Sequence, residues 1–239
     1  MRIVTWNIRH GGGKLKLQAI VQALLKPTGD ILVITEFQTK SAAFIQSQLR
    51  EADYLYQIAS NPPEKTNGIL IVSRFPVTLS PQQYHPNNPY LWLEVGLPTQ
   101  NLTILGLHIP EWGSKWDKAT FWQEVNRYAR DKLEEPAILV GDFNTGLELD
   151  TTGEAFACPE YMEELVALGW VDAWRHLHAN TREYTWQSPR HWFSMRLDYV
   201  FLSPTLASRL VTAQHNHSFR LEEKLSDHSM LIVEIKDPQ

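Results

Sequence analysis

Ala137-Ile138-Leu139-Val140-Gly141-Asp142-Phe143-Asn144 reads as a strand-like apolar run that delivers Asp142 and Asn144 at its C-terminal end, a place active sites favour. The arrangement recurs along the chain. Arg2-Ile3-Val4-Thr5-Trp6 ends in Asn7, Asp30-Ile31-Leu32-Val33-Ile34-Thr35 ends in Glu36, and Leu102-Thr103-Ile104-Leu105-Gly106-Leu107 ends in His108. Two further polar groups come before their apolar runs instead: Asp198 precedes Tyr199-Val200-Phe201-Leu202, and Ser226-Asp227-His228 precedes Met230-Leu231-Ile232-Val233. If all of these residues meet at one sheet edge, some strands run opposite to others, and a mixed sheet is expected.

Between these runs the spacing predicts helices. Leu15 to Leu25 suits a helix stopped near Pro27, Ser41 to Glu51 a second, Ser114 to Leu133 a third and Glu160 to Leu168 a fourth. Tyr90 to Gly96 and Asn101 to Leu107 form an expected hairpin around Pro98-Thr99, and Gly68 to Val72 reads as a core strand. Short strands are expected near Tyr184-Thr185-Trp186 and over Leu197 to Leu202, with a final hairpin into Met230 to Ile235. Interleaved strands and helices with strands in excess fit an α/β fold of two packed sheets flanked by helices. Because the polar strand-end residues extend from Asn7 to His228 and must converge, one domain over 1–239 is expected.

Composition narrows the class. The chain has 239 residues, 43% of them hydrophobic and 21% charged, and no apolar stretch long enough for a membrane anchor. The N-terminus opens on a strand pattern and not on a basic segment with an apolar core, so a cytoplasmic location is expected. Cys158 is the single cysteine, which excludes an intramolecular disulfide and a multi-thiolate metal site. A net charge of −5 opposes nucleic acid in the global field, but several of the acids belong to a metal-type cluster that a cation would neutralise. Gly11-Gly12-Gly13-Lys14 follows a strand but lacks the Gly-Lys-Ser/Thr ending of a phosphate-cradling loop.

Glu36, Asp142, Asp198 and Asp227, with Asn7 and Asn144, make an oxygen-rich set suited to Mg²⁺ or Mn²⁺. Such a cation polarises a phosphoryl oxygen and stabilises a leaving oxyanion, while a basic group takes a proton from attacking water. His228 can be that base, with Asp198 fixing its tautomer. Taken one at a time, these acids are ordinary strand ends and turn residues; only the constellation points to a site. His215-Asn216-His217 places two imidazoles on one face of a strand, a metal signal that lacks further ligands, so a solvated strand is expected there.

Thr5-Trp6-Asn7-Ile8-Arg9, Thr35-Glu36, His108-Ile109-Pro110, Gly141-Asp142-Phe143-Asn144, Arg196-Leu197-Asp198-Tyr199 and Ser226-Asp227-His228 occur in an order that resembles the endonuclease/exonuclease/phosphatase superfamily over nearly the full length. The resemblance implies a four-layer αββα sandwich with two mixed β-sheets and metal-dependent hydrolysis of a phosphoester by activated water. It implies Glu36 as principal metal ligand, assisted by Asn7 and Asp227. Asp142 and Asn144 position or activate water and hold phosphate, and Asp198 pairs with His228. Either Asp142 or His228 can take the proton, and His228 is the expected base.

Tyr184-Thr185-Trp186 followed by Arg196-Leu197-Asp198-Tyr199 looks like exonuclease III and the abasic-site endonucleases, although His108-Ile109-Pro110-Glu111 stands where those enzymes carry Tyr-x-Pro-Asn. His108 with Asn7-Ile8-Arg9 looks more like the pancreatic-type deoxyribonucleases, in which the histidine assists the leaving oxygen and the arginine touches DNA. The expected activity is therefore that of a DNA nuclease acting as a monomer, with a small-molecule or lipid phosphatase as the alternative. A non-catalytic nucleic-acid-binding module would carry damage at the metal or base positions, and these are all chemically competent. Arg9, His10, Lys14, Arg190, His191, Trp192 and Arg196 are the candidate substrate contacts, since cations bind phosphate and tryptophan stacks on bases.

Overall fold

A computed structural model describes residues 1–189 and 192–237. In chain order its strands are β1 (Arg2–Asn7), β2 (Ile31–Phe37), β3 (Tyr56–Ala59), β4 (Gly68–Ser73), β5 (Thr78–Leu79), β6 (Trp92–Leu97), β7 (Leu102–His108), β8 (Ala137–Asp142), β9 (Val171–Asp172), β10 (Trp186–Gln187), β11 (Ser194–Met195), β12 (Asp198–Leu202), β13 (Leu210–Asn216) and β14 (Met230–Ile235). The helices are α1 (Leu17–Leu25), α2 (Thr39–Glu51), α3 (Lys118–Asp131), α4 (Pro159–Ala167), α5 (Ala173–His178) and α6 (Ser218–Leu221). Two six-stranded sheets have the orders β13-β14-β1-β2-β4-β3 and β5-β6-β7-β8-β12-β9. Each is mixed: β1 runs parallel to β2 and antiparallel to β14, and β8 runs parallel to β7 and antiparallel to β12.

Side-chain alternation along the strands explains the layers. Ile3, Ile31 and Val33 of the first sheet face Ile104, Ile138, Val140 and Val200 of the second in one core. The opposite faces bury helices: Val4, Trp6, Leu32 and Ile34 pack on Ile20 and Leu24 of α1 and Ile45 and Leu49 of α2. Leu105, Leu107, Leu139 and Phe201 pack on Phe121, Trp122 and Val125 of α3 and Met162 and Leu165 of α4. Three apolar interfaces between four layers make the expected αββα sandwich, because strands buried on both faces need partners on both. Trp122 is core, as its helical spacing predicts, with its Nε1 donating to Thr145 Oγ1 at 3.0 Å.

Some boundaries move. The third helix starts at Lys118 and not Ser114, because the Asp117 side chain accepts from the Ala119 and Thr120 N–H groups and caps it there. The hairpin turns through Pro98–Gln100, with Asn101 in the left-handed region closing it. Gly141 is the strict position of the decisive motif. It has φ +137°, and a Cβ there would lie 2.0 Å from the Leu107 carbonyl oxygen of the neighbouring strand. Gly141→Ala is expected to cost at least about 2 kcal/mol through that clash and the unfavourable φ, read as a lower urea midpoint with an unchanged slope.

Candidate active site

Strand direction brings the polar ends together. Asn7, His108 and Asp142 end β1, β7 and β8 and Glu36 is next to last in β2, while Asp198 begins β12 and lies opposite Asp142 in register. Glu36 is turned by a register shift in the β2–β4 pairing between Thr35 and Phe37, and its φ of 55° is left-handed. A bulge of this kind re-aims a side chain out of the alternation that would otherwise decide its direction. Arg9, His10 and Asn144 also have positive φ, so uncommon backbone conformations gather at this edge.

At the centre, Asp142 Oδ2 accepts from Asn7 Nδ2 at 2.9 Å and lies 3.9 Å from both His108 Nε2 and His228 Nε2. The same Asn7 amide donates to Glu36 Oε1 at 3.1 Å. His228 Nδ1 sits 2.9 Å from Asp198 Oδ2, so its other nitrogen faces Asp142. Asp142, Asp198 and His228 all offer ligand atoms within 4.8 Å of one another. His228 is anchored by its backbone: its N–H donates to Ser226 Oγ and its carbonyl accepts from Trp6 Nε1 at 2.9 Å. Ser226 Oγ in turn donates to the Asn7 carbonyl, tying the two ends of the chain at the site.

Electrostatics follows from burial and neighbours. Burial pushes the Asp142 carboxyl up, an effect that the charges of His228 and His108 only partly offset. Burial also works against a charged His228, but Asp198 and Asp142 outweigh it and the imidazole is held well above its ordinary value. Glu36 stays ionised despite burial because the His10 hydrogen bond and the charges of His108 and His10 hold it far below the usual carboxylate range. Four carboxylates, Glu36, Asp142, Asp198 and Asp227, thus share one edge, an excess of negative charge with hard oxygen donors that fits a divalent cation.

A model of the endonuclease/exonuclease/phosphatase family matches residues 4–228. The chain belongs to that family. Solved structures agree in fold: an AP endonuclease from Archaeoglobus fulgidus superposes with a TM-score of 0.83 at 20% identity, covering 99% of each chain. A 3'-5' exonuclease from Neisseria meningitidis gives 0.81 at 22% identity over 99% of this chain and 100% of that one. The Neisseria 3' phosphatase bound to a product DNA hairpin gives 0.80 at 22% identity over 99% of each.

As in a metal-dependent phosphoesterase family, the acid and histidine positions converge, but the expected substrate contacts divide. Arg9 is exposed, with Nε 3.6 Å from Asp227 Oδ2. His10 is exposed but turned toward Glu36, its backbone N–H donating to Glu36 Oε2 and its Nδ1 lying 3.0 Å from the same oxygen. Arg196 is turned into the core. Its guanidinium is buried, bound to Asp150 and Asp172 and stacked over Tyr199, because two carboxylates in the core require a fixed positive partner. Trp192 is almost wholly exposed, Lys14 lies on the surface, and Arg190 and His191 fall outside the described residues.

Next to His228 opens a cavity of about 850 Å³ lined by Trp186, Phe193, Met195, Leu197, Phe156 and Lys118, among others. Lys118 is a site residue that sequence reading missed. It is buried and donates to the Asn144 carbonyl, and burial lowers its ammonium to about 8. Its signal was the Asp117 cap, which makes it the first helical residue and aims it at the strand ends. Among the described residues no helix is long and apolar enough to cross a membrane.

Proposed function

We propose that this chain is a Mg²⁺- or Mn²⁺-dependent phosphodiesterase that cleaves DNA. The observation that carries the reading is the Asp142 carboxylate, equidistant from two imidazoles and joined through Asn7 to Glu36. Glu36, Asn7 and Asp227 would hold the cation, which when bound supplies charge to the phosphoryl oxygen and the leaving oxygen. The chain's own residues handle the proton. Flanked by Asp198 and Asp142, His228 rests as imidazolium and donates from Nε2 to phosphate, while Asp142, raised by burial, takes the proton of the attacking water. On this reading the proton acceptor is Asp142, and His228, the base expected from the sequence, holds the phosphate instead. His108 protonates the leaving oxygen, and Asn144, fixed by its Nδ2 bond to the Ile109 carbonyl, holds a phosphate oxygen.

The aromatic and apolar wall of Trp186, Phe193, Met195 and Leu197 supports a nucleic acid, because it gives a sugar and base a surface beside the scissile phosphate. Charge favours a second reading, a small-molecule or lipid phosphatase: among the described residues lining the cavity, Lys118 is accompanied by Glu111 and Glu154, and these residues make no basic track. Hydrolysis of duplex, nicked and abasic DNA, RNA and phosphoinositides, compared at one Mg²⁺ concentration, separates the two. Cleavage of DNA in preference to the others supports the proposal, and turnover of phosphoinositide alone moves it to the second reading. A cytoplasmic monomer is part of the same proposal, testable by light scattering and fractionation.

Lys118 gives this proposal a pH signature. Its ammonium is present below about pH 8 and lost above it, so any phosphate it helps to hold binds less well on the alkaline side. KM is expected to rise as pH passes through 8, and Lys118→Arg, which stays charged, is expected to flatten that limb.

A further inference from the structure

Beside Ser229, the residue after His228, the structure supplies what the His215-Asn216-His217 pattern lacked in sequence: a third ligand. His215 and His217 project from the same face of the β13 end, and Glu183, from the loop before β10, inserts one oxygen between them. Glu183 Oε1 lies 2.9 Å from His215 Nδ1 and 2.9 Å from His217 Nε2. All three ligand atoms fall within 4.8 Å of one another. The edge of a tetrahedron with metal–nitrogen bonds of ~2.1 Å is ~3.4 Å, so a cation fits here once the two 2.9 Å edges to Glu183 lengthen by about half an ångström.

The surroundings are those of a ligand set and not of a solvated strand. The His215 side chain has no exposure, and its ring stacks on Trp174 with centroids 5.0 Å apart, which fixes the direction of Nδ1. His217 Nδ1 lies 2.7 Å from the Ser229 hydroxyl, which can accept its proton and leave Nε2 as the lone-pair donor. Glu183 and His217 are about one-third exposed, which leaves a path from solvent and room for a water as fourth ligand.

We propose that Glu183, His215 and His217 form a binding site for a borderline divalent transition ion of the zinc class, separate from the Glu36 edge. Two imidazoles and one carboxylate with an open position favour such an ion over Mg²⁺, which prefers oxygen ligands throughout. Its role is to position. Thr185, two residues beyond Glu183, accepts through Oγ1 from the N–H groups of Leu197 and Asp198, and its carbonyl accepts from the Ser229 N–H. A bound ion pins this loop to β13 and steadies both partners of the Asp198–His228 pair.

Zn²⁺ itself is the probe, titrated calorimetrically into chelator-treated Glu36→Gln protein, in which the oxygen-rich edge is weakened. One Zn²⁺ per chain is expected, with a rise in melting temperature and tetrahedral Co²⁺ absorption bands on cobalt substitution. Adding His217→Gln or Glu183→Gln is expected to weaken binding at least about 100-fold and abolish the thermal shift. Both positions are partly exposed, and either variant retaining cooperative unfolding is sufficient for the comparison. Absence of Zn²⁺ binding in Glu36→Gln, or affinity unchanged by both additional substitutions, overturns the proposal.

Discussion

Asp142→Asn is expected to lower kcat for phosphodiester hydrolysis by about 10²–10⁴-fold, the range attached to a positioned proton acceptor. The substitution keeps the size of the side chain and one of its two accepted hydrogen bonds, from Asn7 Nδ2 and the Asn144 N–H, but removes the charge that faces His108 and His228 at 3.9 Å. His228→Asn is expected to lose a similar factor, since it removes the imidazolium that Asp198 holds from the other side. Because Asp142 and His228 face each other at 3.9 Å and serve the same step, one on the water and one on the phosphate, the double variant is expected to be no more than about tenfold slower than the slower single variant. Steady-state kinetics on one DNA substrate checks this. Losses that multiply fully would mean that the two side chains serve separate steps.

Arg196→Met is expected to destabilise the fold by about 3–5 kcal/mol, the cost of breaking a buried ion network from one side. Arg196 donates through Nε to Asp150 Oδ1 at 2.8 Å and through its two terminal nitrogens to Asp172 at 3.1 and 2.6 Å. Asp150 also accepts from Arg175 and the Tyr199 hydroxyl, and Asp172 caps α5, so the orphaned carboxylates have little water to turn to. For a chain of this size the loss corresponds to a melting temperature lower by roughly 6–20 °C. Calorimetry at neutral pH measures it. An unchanged melting temperature with a raised KM would restore the phosphate contact that the sequence position beside Asp198 suggested.

That reassignment shows where the sequence is legible and where it is not. Long apolar runs with polar ends announced β1, β2, β7, β8, β12 and β14, since burial on both faces demands continuous aliphatic side chains. The same runs carry Asn7, Glu36, His108, Asp142, Asp198 and His228 to one edge. β5, β9 and β11 are two residues each, too short for periodicity to register, and α5 is a six-residue helix whose Asp172 cap also serves the Arg196 network. Arg196 and Lys118 escape sequence reading for one reason: an arginine next to Asp198 and a lysine at a helix start give no sign of which way they point. Arg196 turns into the core because Asp150, 46 residues away, is buried there, while Lys118 turns toward Asn144. Partnerships at that separation are made by the fold.

The most direct test of the account is Mg²⁺ titration of DNA hydrolysis by the wild-type chain and by Glu36→Gln. Glu36 is the ionised carboxylate that the account gives to the cation, and it is bridged to Asp142 through one asparagine amide. The expected result is no hydrolysis in chelator, saturable activation of the wild type, and a Glu36→Gln variant that is folded but needs far more Mg²⁺ and turns over at least about 100-fold more slowly. Equal rates for both proteins, or wild-type cleavage that persists in chelator, would contradict a metal-dependent phosphoesterase centred on this edge.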